Sequence, residues 1–479
     1  MTVNLRFFGL REGLVALLFF VAPSIHLVLL PDVDALRSAL AWLGLLFAVR
    51  LLPPVCDDTN ARFFAAFLVG LLMAALWTVV SVWAQWADAE RFFGGLVFEL
   101  TSGRLAGNLR QANHAATLIC FGVIAALEFK RLAWLSHGAL LALLGVFFST
   151  VLLTESRTAL INLCLLLLLW NLPSKRQDVR RRWHLLAATG IVFVAIFLII
   201  WVTLHRDPTL SSKTILWSRN LQLLSESPWI GHGWGNFAFN NFLQTSGFTY
   251  PNEVLDNPHN LILSAVYSWG LPVGFALTVL AVWTVWSVYR RTPPAEQRWT
   301  GSVLLVTGVH SLFEYPLWYG VFQVTTLVAL LPGVLAVLST ARIRRMPRFI
   351  LGMSWGLCVV VWTGVLAYHL TLNQLYAGRI SAPMWRLVNF VGEPVSEKYL
   401  MYYRAIVEFE HGRCSEAAAG RLDSALRRFP EPAVITRWLA CAEEGHFKER
   451  KTAVSDAFEF HFPAAFAEWK KATNIGDSR

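Results

Sequence analysis

The chain has 479 residues, 56% of them hydrophobic and 15% charged, with a mean hydropathy of +0.50. A soluble domain carries about 25% charged residues, so a single water-soluble core is excluded. An outer-membrane barrel is excluded as well, because the apolar runs are continuous and not alternating. The net charge of +10 does not argue for nucleic acid, since many basic residues stand between apolar runs, where orientation signals stand.

In chain order, runs of about 17–25 apolar residues, each able to cross a ~30 Å hydrocarbon core, predict a polytopic all-α protein. Eleven spans are expected, at about 12–30, 37–53, 63–85, 112–129, 132–153, 157–172, 184–204, 259–289, 299–312, 317–339 and 349–369. The N-terminal stretch, with Arg6 and Arg11 ahead of its apolar run, reads as an uncleaved first anchor, because ten further spans follow. The stretch DAERFFGGLVFELTSG (88–103) is too short and glycine-interrupted to span, and predicts a re-entrant or interfacial helix. The N-terminus and every second loop carry 18 Lys and Arg against 8 on the opposite side. The dense set belongs in the cytoplasm, which puts the sparse set, the large loop at about 205–258 and the segment after residue 370 outside. Two domains follow: a membrane domain, 1–370, and an extracytoplasmic one, 371–479.

That last segment is nearly charge-balanced from Gln374 onward, with 15 basic and 14 acidic residues. YLMYYRAIVEFEHGRCSEAAAGRLDSALRRFP and VITRWLACAEEGHFKERKTAVSDAFEF both read as helix-turn-helix units, similar to a tetratricopeptide-like pair. Cys414 and Cys441 fall here. An oxidising compartment allows a disulfide between them, and two separate buried thiols are the other reading.

No HExxH, GxxxxGK[ST] or GxSxG motif is present, and GHGWGNF (231–237) reads as a tight aromatic turn. No Cys/His cluster has metal-ligand spacing. What remains is a set of arginines and histidines toward the outer ends of spans. Arg157, in TESRTALI, sits between two apolar runs with almost no loop. It is either a snorkelling residue or a fixed cation whose planar fork suits phosphate oxygens. Arg104, Arg110 and Arg219 are further candidates on the same side. His259, in NPHNLIL, is either a helix-start histidine bonded to backbone or a general base whose ring Asn260 can orient. His310 and Glu314 in HSLFEYPLWYG are four apart, hence on one face if the helix continues, and either hold each other or position something else. His114, beside Gln111 and Asn113, lines the same cavity or satisfies a span entrance.

These stretches together resemble the O-antigen ligase and polymerase (Wzy-C) superfamily. The resemblance rests on ESRTAL, WSRNLQLLSESPWIGHGWGNF and PHNLILSAVYSWGLPVG. GNLRQANHAATL and HSLFEYPLWYGVF look like PglL-type bacterial O-linked protein oligosaccharyltransferases. One departure is AGNLRQANH, where relatives read GNLGQPNH, so that Arg110 and Ala112 replace glycine and proline. The resemblance implies a multi-pass protein of the bacterial inner membrane with its site facing the periplasm. It implies en bloc transfer of an oligosaccharide from undecaprenyl diphosphate to Ser or Thr of an exported protein such as pilin, with inversion and with neither metal nor cofactor. His259 would act as base, Arg157 and Arg219 would hold the pyrophosphate, and His310, Glu314 and Tyr315 would line the cavity. Two rival readings are an O-antigen ligase acting on lipid A-core and, from another class, an anion or small-molecule transporter, although no internal repeat marks one. A scaffold role would explain the tail but not Arg157 or His259.

Overall fold

The computed structural model describes residues 9–25, 33–51, 57–171, 209–245, 255–340 and 414–477, apart from Ser102, with scattered positions between 356 and 410. The spans expected at 184–204 and, for the most part, at 349–369 lie outside the described residues, as does the beginning of the C-terminal segment. Every regular element among the described residues is helical. The chain divides into two compact units, one of residues 1–203 and 282–367, the other of residues 204–281 and 368–479.

The first unit contains α1 (Leu10–Ser24), α2 (Val33–Leu51), α3 (Asp57–Trp86), α4 (Ala112–Arg131), α5 (His137–Leu153), α6 (Arg157–Asn171), α10 (Gln297–Phe313) and α11 (Gly320–Thr340). Helix α9 (Leu261–Tyr289) crosses the division. Residues 61–86 of α3, all of α4 and α9, and residues 320–337 of α11 are long and apolar enough to cross a bilayer, and α1, α2, α5 and α6 hold shorter apolar stretches. The protein is thus a multi-pass helical membrane protein. In lipid, every backbone N–H and C=O must find its partner inside the segment, which is why these runs are helices.

Helix α4 is the central strut. Its core side is built from Ala115, Ala116, Gly122, Ala125 and Ala126. Lipid tails are as apolar as leucine, so helices associate through close packing, and small residues permit it. A Cβ on Gly122 would lie 2.3 Å from that of Ala75 on α3. Phe67, Phe121, Phe147, Trp299 and Phe322 fill the space around this contact. Gln111 caps the N-terminus of α4 through its side-chain oxygen, which accepts from His114 N at 2.6 Å. This fixes where the helix starts and therefore which residues occupy its first turn.

The 88–103 stretch is not the helix expected of it. Helix α3 ends at Trp86, a four-residue 3-10 turn covers Glu90–Phe93, and Gly94 (φ 57) then reverses the chain. Two adjacent glycines do not sustain a helix.

The second unit contains α7 (Thr209–Glu226), α8 (Phe237–Leu243), α12 (Glu416–Arg428), α13 (Pro432–Glu443), α14 (Lys448–His461) and α15 (Pro463–Asp477). Consecutive helices of the C-terminal series pack on one another around Leu422, Trp438, Leu439 and Phe458. Trp438 Nε1 donates to Asp423 Oδ1 at 3.1 Å, and Arg450 pairs with the same carboxylate oxygen at 2.7 Å. Cys414 and Cys441 are joined by a disulfide, which ties the turn ahead of α12 to α13. The short helix α8 belongs to this core. Phe239 and Phe242 are buried in it, Arg427 lies 5.6 Å over the Phe239 ring, and Gln244 O lies 3.3 Å from His461 Nε2.

Candidate functional site

In the first unit, three helix ends meet: the start of α4, the α5–α6 turn and the end of α10. Asn113, in the first turn of α4, is buried, and both ends of its amide are engaged. Its Nδ2 donates to Glu314 Oε1 at 2.7 Å, and its Oδ1 accepts from Ser156 Oγ at 2.8 Å. Arg104 Nη2 approaches the same Oδ1 at 3.4 Å, while its Nε and Nη2 donate to Thr154 O at 3.1 and 2.8 Å. One turn along α4, Thr117 Oγ1 lies 2.8 Å from His310 Nδ1. His114 is buried with its ring 4.3 Å from that of Tyr319 and 5.5 Å from that of His310. Behind it, a cleft lined by Arg37, Tyr319 and Phe322 has room for about one water molecule.

Glu314 does not continue the face of His310. Helix α10 ends at Phe313, and Glu314 is extended (φ −152, ψ −168) with its N–H bonded to His310 O. The chain then makes a 3-10 turn at Pro316–Trp318, whose proline lacks the N–H a continuing helix needs. This exit turns the buried carboxylate toward α4. Tyr315 stacks on Tyr319 at 6.0 Å, beside this cluster. Arg157 is the first residue of α6, next to Ser156, and follows Glu155, which has a left-handed backbone (φ 54).

The loop leading to Asn113 is held from α3 and from its own backbone. Gln85 Oε1 accepts from Ala106 N and Gly107 N at 3.0 and 2.7 Å. Asn108 donates to Ser24 O and Leu96 O and accepts from Phe98 N. The buried Arg37 guanidinium donates to Ile25 O and Asn108 O. Arg110 has φ 59, a conformation that favours glycine, which accounts physically for the glycine expected there. Its guanidinium lies 4.8 Å over the Phe98 ring.

The second unit carries the remaining candidates. Arg219, on α7, is buried, and desolvation pushes its pKa down to about 10. His259 is half-buried and has φ 52; its N–H donates to Asn257 Oδ1 at 2.9 Å. Pro258 O accepts from Trp217 Nε1 at 3.0 Å. Asn260 also has a structural role. Its side-chain oxygen accepts from Ile262 N and Leu263 N, so it caps α9, which begins at Leu261, after His259. GHGWGNF is the tight turn it reads as. His232 stacks on Tyr267 at 4.9 Å, and its Nε2 lies 2.6 Å from Leu223 O. Asn240 joins the pair, donating to Tyr267 Oη at 2.7 Å.

Sequence reasoning missed Arg37, Gln85, Asn108 and Tyr267 as structural partners. Each acts across a long sequence separation that leaves no local pattern. Among the described residues, no three of His, Cys, Asp and Glu gather as a metal site.

Known proteins extend this geometry. Residues 140–279 match the O-antigen ligase family model, residues 106–127 that of protein glycosylation ligases, and residues 299–383 that of the C-terminal part of virulence factor membrane-bound polymerases. Part of the chain is thus similar to O-antigen ligases, and a shorter stretch ahead of it to protein glycosylation ligases. A general O-oligosaccharyltransferase of Acinetobacter baylyi is 23% identical over 303 residues, 59% of this chain and 52% of that protein. A ComP-specific O-oligosaccharyltransferase of the same organism is 25% identical over 296 residues, 58% of this chain and 53% of its own. The chain spans about half the length of these curated relatives.

Proposed function

We propose that the protein is a glycosyltransferase that moves an oligosaccharide en bloc from undecaprenyl diphosphate to a Ser or Thr hydroxyl of an exported protein such as pilin. The observation that carries this reading is the segment matched to protein glycosylation ligases. It contains Asn113, whose amide ties Glu314 to the Ser156–Arg157 turn. A ligase acting on lipid A-core is the second reading, favoured by the match over 140–279. The relatives, both O-oligosaccharyltransferases, favour the first.

In the proposed reaction, the bond between the anomeric carbon and the diphosphate oxygen breaks, and a bond to the acceptor oxygen forms on the opposite face, inverting the configuration. The acceptor proton passes to the His259 imidazole, a base suited to pH near 7. A histidine held at φ 52 is of the kind that clusters at active sites, where surrounding structure maintains an unfavourable backbone. Arg157 and Arg219 bind the leaving diphosphate and stabilise the charge that builds on it, without a metal. A buried guanidinium such as Arg219 attracts an anion strongly because little water screens it. Eleven spans, a cytoplasmic N-terminus, an extracytoplasmic loop at about 205–258 and an extracytoplasmic domain at 371–479 would place this chemistry on the periplasmic side of the inner membrane.

The test is intact-mass analysis of exported proteins and of lipid A-core from cells with and without the gene. A protein that loses the mass of one glycan on deletion, and stays unmodified when the gene is restored as His259→Ala at normal membrane levels, supports the reading. Loss of glycan from lipid A-core alone selects the second reading, and continued modification with His259→Ala removes the base assignment.

A further inference from the structure

Helix α9 reads in sequence as one uninterrupted span, and it is broken. Gly270 has φ 76 and ψ 168, and Pro272 follows two residues on. An α-helix bonds residue 271 N to 267 O and residue 272 N to 268 O. The break and the missing proline N–H free those groups. All three bond to a single turn of the preceding loop. His232 N donates to Tyr267 O at 2.8 Å, Gly233 N to Ser268 O at 3.0 Å, and Leu271 N donates to Pro228 O at 2.8 Å. The seat is backbone against backbone. A Cβ on Gly231 would lie 2.5 Å from Gly270 N, and one on Gly270 would lie 2.2 Å from Trp229 O.

The turn's outward side chains are apolar and uncovered: Trp229 is 73% exposed, Ile230 80% and Trp234 61%. Trp234 stacks on Trp269 at 5.3 Å, so the patch runs onto α9 itself. It continues along Leu271, Val273 and Phe275, all exposed on a helix apolar enough to cross a bilayer. Leu271–Tyr289 alone rises about 28 Å, close to the ~30 Å hydrocarbon thickness. A span of that length would put the break at the water boundary, where tryptophan rings are favoured.

We propose that residues 228–234 form an aromatic foot embedded in the bilayer interface beside α9, its partner being bulk membrane lipid. The foot satisfies the broken helix from within and meets lipid on its outer side. It also sets the depth of His232 and of the segment leading back to Arg219.

The experiment uses the full-length protein in nanodiscs of phosphatidylethanolamine and phosphatidylglycerol. A bimane probe is placed by Ile230→Cys or Trp234→Cys, with Phe275→Cys and Glu449→Cys as lipid and water references. At 230 and 234, a nitroxide near the headgroup should quench about twofold more than one deep in the chain, and aqueous iodide should quench weakly. Iodide quenching equal to that at 449, or protection from every quencher, overturns the proposal. Because these variants can perturb folding, the unmodified protein is also photolysed with an acyl-diazirine phospholipid and mapped by peptide mass. Adducts on the 228–235 peptide are expected. Their absence, or their removal by a polyprenyl-diphosphate lipid, overturns bulk lipid as the partner.

Discussion

Replacing Asn113 by leucine should destabilise the membrane unit by about 3 kcal/mol, and most of that loss should vanish when Glu314 is also replaced. The magnitude follows from the bonds removed. The 2.7 Å bond to the Glu314 carboxylate is charge-assisted and is worth about 1.5–3 kcal/mol. The 2.8 Å bond from Ser156 is neutral and contributes about 1 kcal/mol. The Arg104 contact at 3.4 Å is too long to add much. In the single variant, a buried carboxylate oxygen loses its amide donor, whereas in Asn113→Leu with Glu314→Leu both partners are apolar. The double-mutant cycle should therefore show a coupling of about 2 kcal/mol. Glu314→Gln keeps an acceptor oxygen and should lose about 1 kcal/mol or less. The assay is reversible unfolding in bicelles, followed by the fluorescence of a probe on α4. Additivity within about 0.5 kcal/mol would show that residues 113 and 314 do not act as a pair, and the network described above would have to be abandoned.

Three further outcomes are expected. Arg157→Lys keeps the charge but loses the planar fork, so transfer measured with purified donor should fall by about 100-fold, and full activity would assign Arg157 to snorkelling. Burial lowers the Arg219 pKa to about 10 from 12.5, so the guanidinium remains charged at neutral pH. Arg219→Met should accordingly abolish transfer while leaving the protein at normal membrane levels; full transfer would show that the guanidinium does not hold the diphosphate. Reducing the disulfide, which closes a 27-residue separation, should remove about 3–4 kcal/mol of constraint. Limited proteolysis should then cut between α12 and α14 first, and unchanged resistance would show the bridge to be dispensable.

The helical class was legible because lipid leaves the backbone no alternative, and α3, α10 and α11 follow their apolar runs closely. The break in α9 was not, since Gly270 and Pro272 interrupt nothing in hydropathy and Pro is tolerated in membrane helices when another segment bonds the freed groups. The apolar faces of α7 and α8 were hidden inside a stretch read as a loop. Individual buried polar residues stood out because a buried Asn, His or Glu in apolar surroundings is costly and needs a reason. Their pairing was not: Asn113 and Glu314 stand 201 residues apart, and Thr117 and His310 stand 193 apart. The capping of α9 by Asn260 was not read either, because the expected span began at residue 259 and hid the helix start at Leu261.

The burial of Phe239 and Phe242 among the C-terminal helices has a consequence for dissecting this chain. Deleting the tail would strip the cover from two aromatic rings of the segment that matches O-antigen ligases, so a dead truncation would report misfolding before it reported any contribution to acceptor choice. A graft of this tail onto a relative succeeds only if α8 travels with it. The exchangeable cassette is discontinuous in sequence, and chimaeras should be cut accordingly.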